Sequence, residues 1–266
     1  MTSSAPVDHF AKLVPWSEFG PPLRPAPADI ALVQAQIDLA VPRCAVLLGL
    51  TPEIAGCTWP EGVDFIAVDH SQQMIEELWP HPVAPLGARV LLADWSALPV
   101  RSGSADLVIG DGCLTVLTFD GWRRLAREMR RVLAPGGRLV LRVFIRPEPQ
   151  EPVAAIRDDL TAGRIETINA LKLRLFAAVH ADGARLDDVW QAWSTMRRAA
   201  GPGYSVVALA GLERYRGSDA RYFLGTPTEV RSALGTELRE VGWFTPAGYE
   251  LAERCPTVVF EGTDSS

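Results

Sequence analysis

Residues 125–144, LAREMRRVLAPGGRLVLRVF, join a helical pattern to a strand pattern. Leu125, Met129 and Val132 follow one another at intervals of four and three residues, which places them on one face of an amphipathic helix. A Pro-Gly-Gly turn at 135–137 then ends the helix. The next residues, 138–145, are apolar in the manner of a strand that is buried on both faces. The stretch therefore predicts a helix that passes through a tight turn into a buried strand.

Four earlier segments have the same short, apolar, β-branched character. They are 43–50 (RCAVLLGL), 63–69 (VDFIAVD), 88–93 (ARVLLA) and 106–110 (DLVIG). Helix signals lie between them: Ser71 is a candidate N-cap for a helix that reaches Leu78, and Asp120 is one for a helix over 122–133. Strands that alternate with helices in this way predict βαβ units and a mostly parallel sheet that is covered on both faces.

The pattern changes after the fifth strand. Residues 151–200 carry only helical patterns, so we expect a helical insertion, which we place at about 150–205. The sequence Thr226-Pro227-Thr228-Glu229 predicts a capping box with proline at the first helical position, for a helix that reaches about Val241. Two closing strands follow within 243–261, the last at 257–260. The chain is thus predicted to be an arm and helix over 1–42 and one domain over 43–266.

The composition and charge of the chain exclude several classes of protein and argue against several kinds of partner. Of the 266 residues, 48% are hydrophobic and 22% charged, which excludes a disordered or fibrous chain. The net charge of -6 argues against a nucleic-acid partner, because a protein that binds the phosphates of a nucleic acid needs a basic surface. No apolar run is long enough for a membrane span, and the N-terminus lacks a secretory pattern. The four cysteines and four histidines show no metal-ligand spacing, so no metal is expected. We expect a cytoplasmic protein, and the presence of only two lysines among 26 basic residues fits a bacterial source.

The candidate site lies where such sheets bind ligands, beyond the carboxyl ends of the strands. Gly49 follows the first strand and allows close backbone approach, and Thr51 opens a short helix whose N–H groups face the ligand. Asp69 ends the second strand twenty residues later, where a carboxylate can accept hydrogen bonds from both hydroxyls of a ribose. Asp94 follows the third strand and can bind the amine of an adenine, whose ring packs against Met74 and Trp95.

These segments, taken in order, resemble a known family. VLLGLTPE, FIAVDHSQQMI, LLADWSALPV, ADLVIGDG and the stretch quoted first are similar to the class I S-adenosylmethionine-dependent methyltransferases, of which RVLAPGG at 131–137 is typical. The resemblance implies a Rossmann-like three-layer α/β sandwich with a mostly parallel seven-stranded sheet, the last strand antiparallel beside the fifth. It also implies S-adenosyl-L-methionine as cofactor, and methyl transfer to an acceptor that we expect to be a small molecule.

The first motif of the family departs from its pattern here. The pattern is acidic-x-Gly-x-Gly-x-Gly, and the four positions hold Leu47, Gly49, Thr51 and Glu53. In the family, the acidic residue helps to orient the methionine part of the cofactor. A catalytically silent nucleoside-binding or regulatory protein of the same fold is therefore the main alternative. A nicotinamide-dependent oxidoreductase and an RNA methyltransferase are weaker alternatives, opposed by the Pro-Gly-Gly segment and by the negative charge.

Positions in the predicted fold, together with the resemblance, give the candidate site residues. The expected cofactor-binding residues are Gly49, Thr51, Glu53, Asp69, His70, Met74, Asp94, Trp95 and Asp111. Candidates for a catalytic role are Asp111, His180 and Tyr204, although Asp111 is as well explained by the end of a strand. Arg146 is a candidate clamp for a substrate carboxylate, or else pairs with Glu148 or Glu151. The insertion and the arm around Trp16 and 21–24 are expected to roof the cleft.

Overall fold

A computed structural model describes residue 16 and residues 19–79, 83–199 and 206–262. The strands of the described residues are β1 Cys44–Leu48, β2 Asp64–Asp69, β3 Arg89–Leu92, β4 Ala105–Asp111, β5 Leu133–Arg142, β6 Ala184–Arg185, β7 Arg221–Tyr222, β8 Leu238–Phe244 and β9 Thr257–Gly262. The main sheet has seven of them, in the order β3-β2-β1-β4-β5-β9-β8. Strands β1 to β5 run parallel, and β9 runs antiparallel to both of its neighbours. These are the predicted α/β class and the predicted place of the last strand, and both are confirmed.

Helices cover both faces of the sheet. The α-helices of the described residues are α1 Pro27–Ala40, α2 Pro52–Ala55, α3 Gln72–Leu78, α4 Phe119–Val132, α5 Val153–Thr161, α6 Ile168–Ala178, α7 Leu186–Met196, α8 Val206–Glu213 and α9 Pro227–Leu234. Short 3-10 turns are found at Cys113–Val116, Arg197–Ala199 and Ala252–Arg254. No helix within the described ranges is long and apolar enough to cross a membrane.

Alternate residues of β1 show how the layers form. Val46 and Leu48 belong to the apolar cluster that α4 and α9 build on one face of the sheet. Leu47, between them, belongs to the cluster on the other face, together with Val33 and Ile37 of α1. Because successive side chains of a strand point to opposite faces, an apolar run with no alternation needs a helical layer on each side. The result is the predicted three-layer sandwich.

The insertion after β5 has an apolar core of its own. Ile156, Leu171 and Trp193, from α5, α6 and α7, are buried in one cluster. Leu23 of the N-terminal arm and Phe144, just after β5, pack against it. The insertion and the arm are thereby joined to the end of the sheet at which β5 ends. The predicted boundary between residues 1–42 and 43–266 stays a prediction.

Three predicted boundaries were wrong. Helix α4 begins at Phe119, because the Thr118 side chain, not that of Asp120, accepts the hydrogen bond of a first-turn N–H. Helix α9 ends at Leu234, not near Val241, and β8 begins at Leu238 because it pairs with β9. Strand β5 already begins at Leu133, and the Pro-Gly-Gly turn is an irregularity within it, where the register to β4 shifts.

Two predicted caps are confirmed. The Ser71 hydroxyl accepts a hydrogen bond from Met74 N at the start of α3. Thr226 and Glu229 form the reciprocal capping box of α9. These bonds join residues three apart, so the local sequence is sufficient to specify them.

Candidate active site

A cavity of about 110 Å³ lies at the carboxyl ends of β1, β2 and β4. Strand order reverses between β1 and β4, which is where open parallel sheets bind their ligands. Its lining is mostly apolar, with Asp69 and Asp111 as its two carboxylates. The lining residues are Trp16, Leu23, Leu48, Gly49, Leu50, Thr51, Asp69, Met74, Leu78, Trp95, Asp111, Gly112, Cys113, Thr115, Val116 and Phe144.

Gly49 turns the chain away from β1 at the floor of this cavity. Its φ of 86° lies in the left-handed region, and its N–H donates to Val68 O at 2.8 Å. A side chain at this position would be strained by the backbone conformation alone. Gly49 lines the cavity and has no side chain, so a ligand can approach the backbone there.

Asp69 ends β2 and is 5% exposed. Its Oδ1 accepts a hydrogen bond from Ser71 N at 2.8 Å, which fixes the carboxylate as α3 begins. Burial raises the pKa of Asp69, while the N–H of Ser71 and the nearby His70 act in the opposite direction. A buried carboxylate that lines a cavity and has acceptor capacity left is suited to bind hydroxyl groups.

Trp95 and Met74 line the cavity beside Asp69. The Trp95 indole N–H donates to Val68 O at 2.7 Å, so its ring is held against the end of β2. The ring lies 3.8 Å from where a Cβ on Gly49 would be. Trp95 and Met74 thus form an apolar side of the cavity, and their contact with an adenine stays a prediction.

Asp111 and Arg142 form a buried ion pair between the ends of β4 and β5. Arg142 Nε donates to Asp111 Oδ1 at 2.7 Å, and the two side chains are only 2% and 4% exposed. Arg142 Nη1 also donates to Pro22 O of the arm at 2.8 Å. Burial raises the pKa of Asp111, opposed by the guanidinium of Arg142.

The N-terminal arm covers the cavity from the side of the insertion. Trp16 and Leu23 line it, and the Arg24 guanidinium lies 5.4 Å from the centre of the Trp16 ring. Arg24 pairs with Glu53, whose other oxygen is buried and has no partner among the described residues. Thr51 lines the cavity and caps α2 with its backbone, not its side chain.

Other predicted residues lie apart from the cavity lining. Asp94 is exposed, its Oδ1 accepts from Ser96 N and Oγ, and this bonding lowers the pKa of Asp94. His70 is exposed and meets the edge of the Trp95 ring, with 6.3 Å between ring centres. Glu53 is outside the lining as well. Their roles toward a cofactor stay predictions.

The catalytic and substrate candidates are also dispersed. Arg146 donates from Nη2 to both oxygens of Glu229 at 2.7 and 2.8 Å, so its partner is neither of the two that the sequence offered. His180 is buried, not on the surface, and its Nε2 accepts from Leu224 N at 3.2 Å. Burial lowers the pKa of His180. Tyr204 lies outside the described residues.

Arg142 belongs to the site but was not predicted from the sequence. Its signal was present, because an arginine inside the apolar run RLVLRVF is unusual for a strand buried on both faces. Its register partner on β4 is Asp111. A charge of each sign at the ends of two neighbouring strands would have predicted the pair.

A comparison with known families gives a direct match. Residues 50–141 match the family model described as a methyltransferase domain. The match covers 92 of the 266 residues, from just after β1 almost to the end of β5. The match confirms the resemblance to methyltransferases and, with it, the prediction of a methyltransferase. In class I of these enzymes, the methyl donor is S-adenosylmethionine. No curated protein matches the chain.

Several solved structures share the fold of this chain at low sequence identity. A structure described as putative zinc-dependent alcohol dehydrogenases from Rhodobacter sphaeroides has a TM-score of 0.58 and 13% identity, over 99% of this chain and 100% of that one. The complex of the Haloferax volcanii Trm112 methyltransferase activator with a putative methyltransferase gives 0.54 and 13%, over 90% of both chains. SAM-dependent methyltransferases from Methanosarcina mazei give 0.50 and 15%, over 82% of this chain and 92% of that one.

These similarities extend to the fold and no further. The zinc dependence named for the Rhodobacter sphaeroides structure is a property of that protein. In the part of the present chain that the structure describes, no three His, Cys, Asp or Glu side chains are grouped to hold a metal ion.

Proposed function

We propose that the protein transfers a methyl group from S-adenosylmethionine to a small-molecule acceptor. The observation that carries this proposal is the cavity at the strand-order reversal, where Gly49, Asp69 and Asp111 follow or end three neighbouring strands. An uncovered glycine backbone flanked by two carboxylates fits a ligand that has a diol and a cationic group. When bound, S-adenosylmethionine supplies a methyl group that is already activated by its sulfonium.

The protein's own contribution is to hold the two reactants in place. Asp69 accepts hydrogen bonds from the ribose, and Met74 and Trp95 contact the adenine ring. Methyl transfer is an in-line displacement, so aligning the acceptor at about 3 to 3.5 Å and excluding water supply most of the acceleration. The arm excludes water through Trp16 and Leu23, which line the cavity.

A small acceptor is favoured by what surrounds the cavity. Val116 and Phe144 line it and also pack against the insertion, and Leu23 of the arm does the same. Such a covered, apolar site suits a compact and largely uncharged acceptor better than a polymer, which needs an open groove. The cavity volume of about 110 Å³ is small for a nucleoside, so the residues that line it must move apart when the cofactor binds.

A catalytically silent nucleoside-binding protein is the second candidate. It is favoured by Leu47, which replaces the acidic residue of the first motif and is 1% exposed in the cluster around α1. It is also favoured by the pairing of Asp111, which leaves that carboxylate a poor base. A cytoplasmic location and a bacterial source stay predictions, as does the absence of nucleic-acid and membrane partners.

Turnover separates the two candidates. The full-length protein is incubated with S-adenosylmethionine and a panel of small phenols, amines, thiols and carboxylic acids, and S-adenosylhomocysteine is measured. The methyltransferase produces it in the presence of at least one acceptor, and Asp69→Asn lowers the rate. A silent protein binds the nucleoside yet yields none above the rate without protein for any acceptor.

A further inference from the structure

The proposed methyl donor ends in an α-amino acid, whose ammonium needs an anionic partner in a largely apolar cavity. The two carboxylates of the cavity lining are Asp69 and Asp111. Asp69 ends β2 and Asp111 ends β4, and β1 with Gly49 lies between them. The two strand ends are thus about 10 Å apart, two strand spacings. If Asp69 binds the ribose, the amino-acid part extends across Gly49 toward Asp111.

Asp111 has the chemistry for this contact. Arg142 occupies its Oδ1, and no described residue donates a hydrogen bond to its Oδ2. Arg142 Nη2 is buried and likewise has no partner among the described residues. Each member of the pair therefore keeps a hydrogen-bonding atom that the described protein groups do not satisfy, as expected of a pair built to receive a further charged group.

We propose that Asp111 binds the α-ammonium of the methyl donor, and that Arg142 is a positioning residue that keeps Asp111 ionised and oriented toward it. This inference rests on the proposed function. It explains how the chain tolerates Leu47, which is buried on the opposite face of the sheet from Val46 and Leu48. The charge that receives the amino acid is then supplied by β4 and held there by β5.

Asp111 needs a cation beside it because its surroundings are otherwise anionic or neutral. Asp29 of α1 and Glu53 of α2 both raise the pKa of Asp111 by electrostatic repulsion. Burial raises the pKa of the thiols of Cys113 and Cys255, so these neighbours are uncharged. Tyr249 donates to Asp29 and remains a neutral phenol, because burial also raises its pKa. Without Arg142, we expect the pKa of Asp111 to rise further, which favours the protonated carboxyl.

The first test compares two ligands that differ only in the amino-acid part. S-adenosylhomocysteine carries it, whereas 5′-methylthioadenosine does not. In Asp111→Asn, we expect the affinity for S-adenosylhomocysteine to fall by about tenfold or more, while that for methylthioadenosine stays within about twofold. Calorimetric titration of the full-length protein measures both.

The second test uses pH to separate positioning from simple packing. Arg142 opposes the rise in the pKa of Asp111 that burial causes. Between about pH 6 and 7.5, the affinity for S-adenosylhomocysteine should therefore depend more steeply on pH in Arg142→Met than in the wild type, and it should fall toward acid. Arg142→Lys, which keeps the positive charge, should restore the pH dependence of the wild type. Should Arg142→Met fail to fold, Arg142→Lys and the ligand comparison in Asp111→Asn decide the question.

Asp64 and Arg89 provide a matched control. They form an exposed ion pair between β2 and β3, away from the cavity. Asp64→Asn and Arg89→Met should change neither affinity nor its pH dependence. Equal loss of both ligands in Asp111→Asn, or no loss of either, overturns this inference alone. A wild type that binds neither ligand overturns the proposed function and the inference with it.

Discussion

Asp69 illustrates what a single residue contributes to this site. It lies at the last position of β2, is 5% exposed, and is held by Ser71 N at the start of α3. The sequence was sufficient to predict its place, because a strand that ends in an acidic residue before a capped helix is a local pattern. The burial that raises its pKa depends on the layers above it and was not predictable locally.

Replacing Asp69 with asparagine should weaken binding of S-adenosylhomocysteine by about tenfold or more, because a charged acceptor of the ribose hydroxyls is lost. Asparagine keeps an oxygen for Ser71 N, so the fold should be retained. Asp64→Asn, at the exposed start of the same strand, is the control. Unchanged affinity in Asp69→Asn, measured by calorimetry, would be evidence against the ribose contact.

His180 should make the stability of the fold depend on pH. Burial lowers its pKa in the folded protein, and Nε2 must stay unprotonated to accept from Leu224 N. The unfolded chain therefore binds more protons as pH falls through the ordinary histidine range, so stability is lost toward acid. Urea unfolding at about pH 5.5 and 7.5 should show a smaller acid loss in His180→Gln than in the wild type. An equal loss in both proteins would contradict this assignment.

Among the elements, helix α9 shows where local sequence specifies structure and where it does not. Its start was predictable from Thr226, Pro227 and Glu229, whose capping chemistry is contained within four residues. The end of α9 was not predictable, because β8 begins at Leu238, where the chain pairs with β9. Glu229 also binds Arg146 from beyond β5, a contact between residues far apart in sequence.

Removing the cap of α9 should lower stability without changing the site. Thr226 is 4% exposed, and its hydroxyl accepts from Glu229 N at 3.2 Å. Thr226→Ala should reduce the free energy of unfolding by about 1 kcal/mol. Thr161→Ala, an exposed threonine at the end of α5, should cost less. Denaturant unfolding of both variants checks this, and equal losses would contradict the role of the cap.

At the scale of the whole molecule, the sheet and its site follow from the order of the segments. Five apolar runs with helices between them predicted β1 to β5, and the family resemblance predicted β9 between β5 and β8. The arm's contacts were harder to foresee, since Pro22 O meets Arg142 and Leu23 meets the insertion only after the chain has folded. Sequence thus predicted the strand ends that carry the site, but not the groups that close it.

Binding of the sulfur nucleosides tests the account most directly. The full-length protein, freed of copurified ligand, is heated with S-adenosylmethionine, S-adenosylhomocysteine or NAD. At about 100 times Kd, a ligand of the folded state adds about 2.7 kcal/mol, a rise in Tm of roughly 5 to 10 °C. We expect that rise with both sulfur nucleosides, none with NAD, and its loss in Asp69→Asn. Folded protein that responds to neither sulfur nucleoside would contradict the central claim.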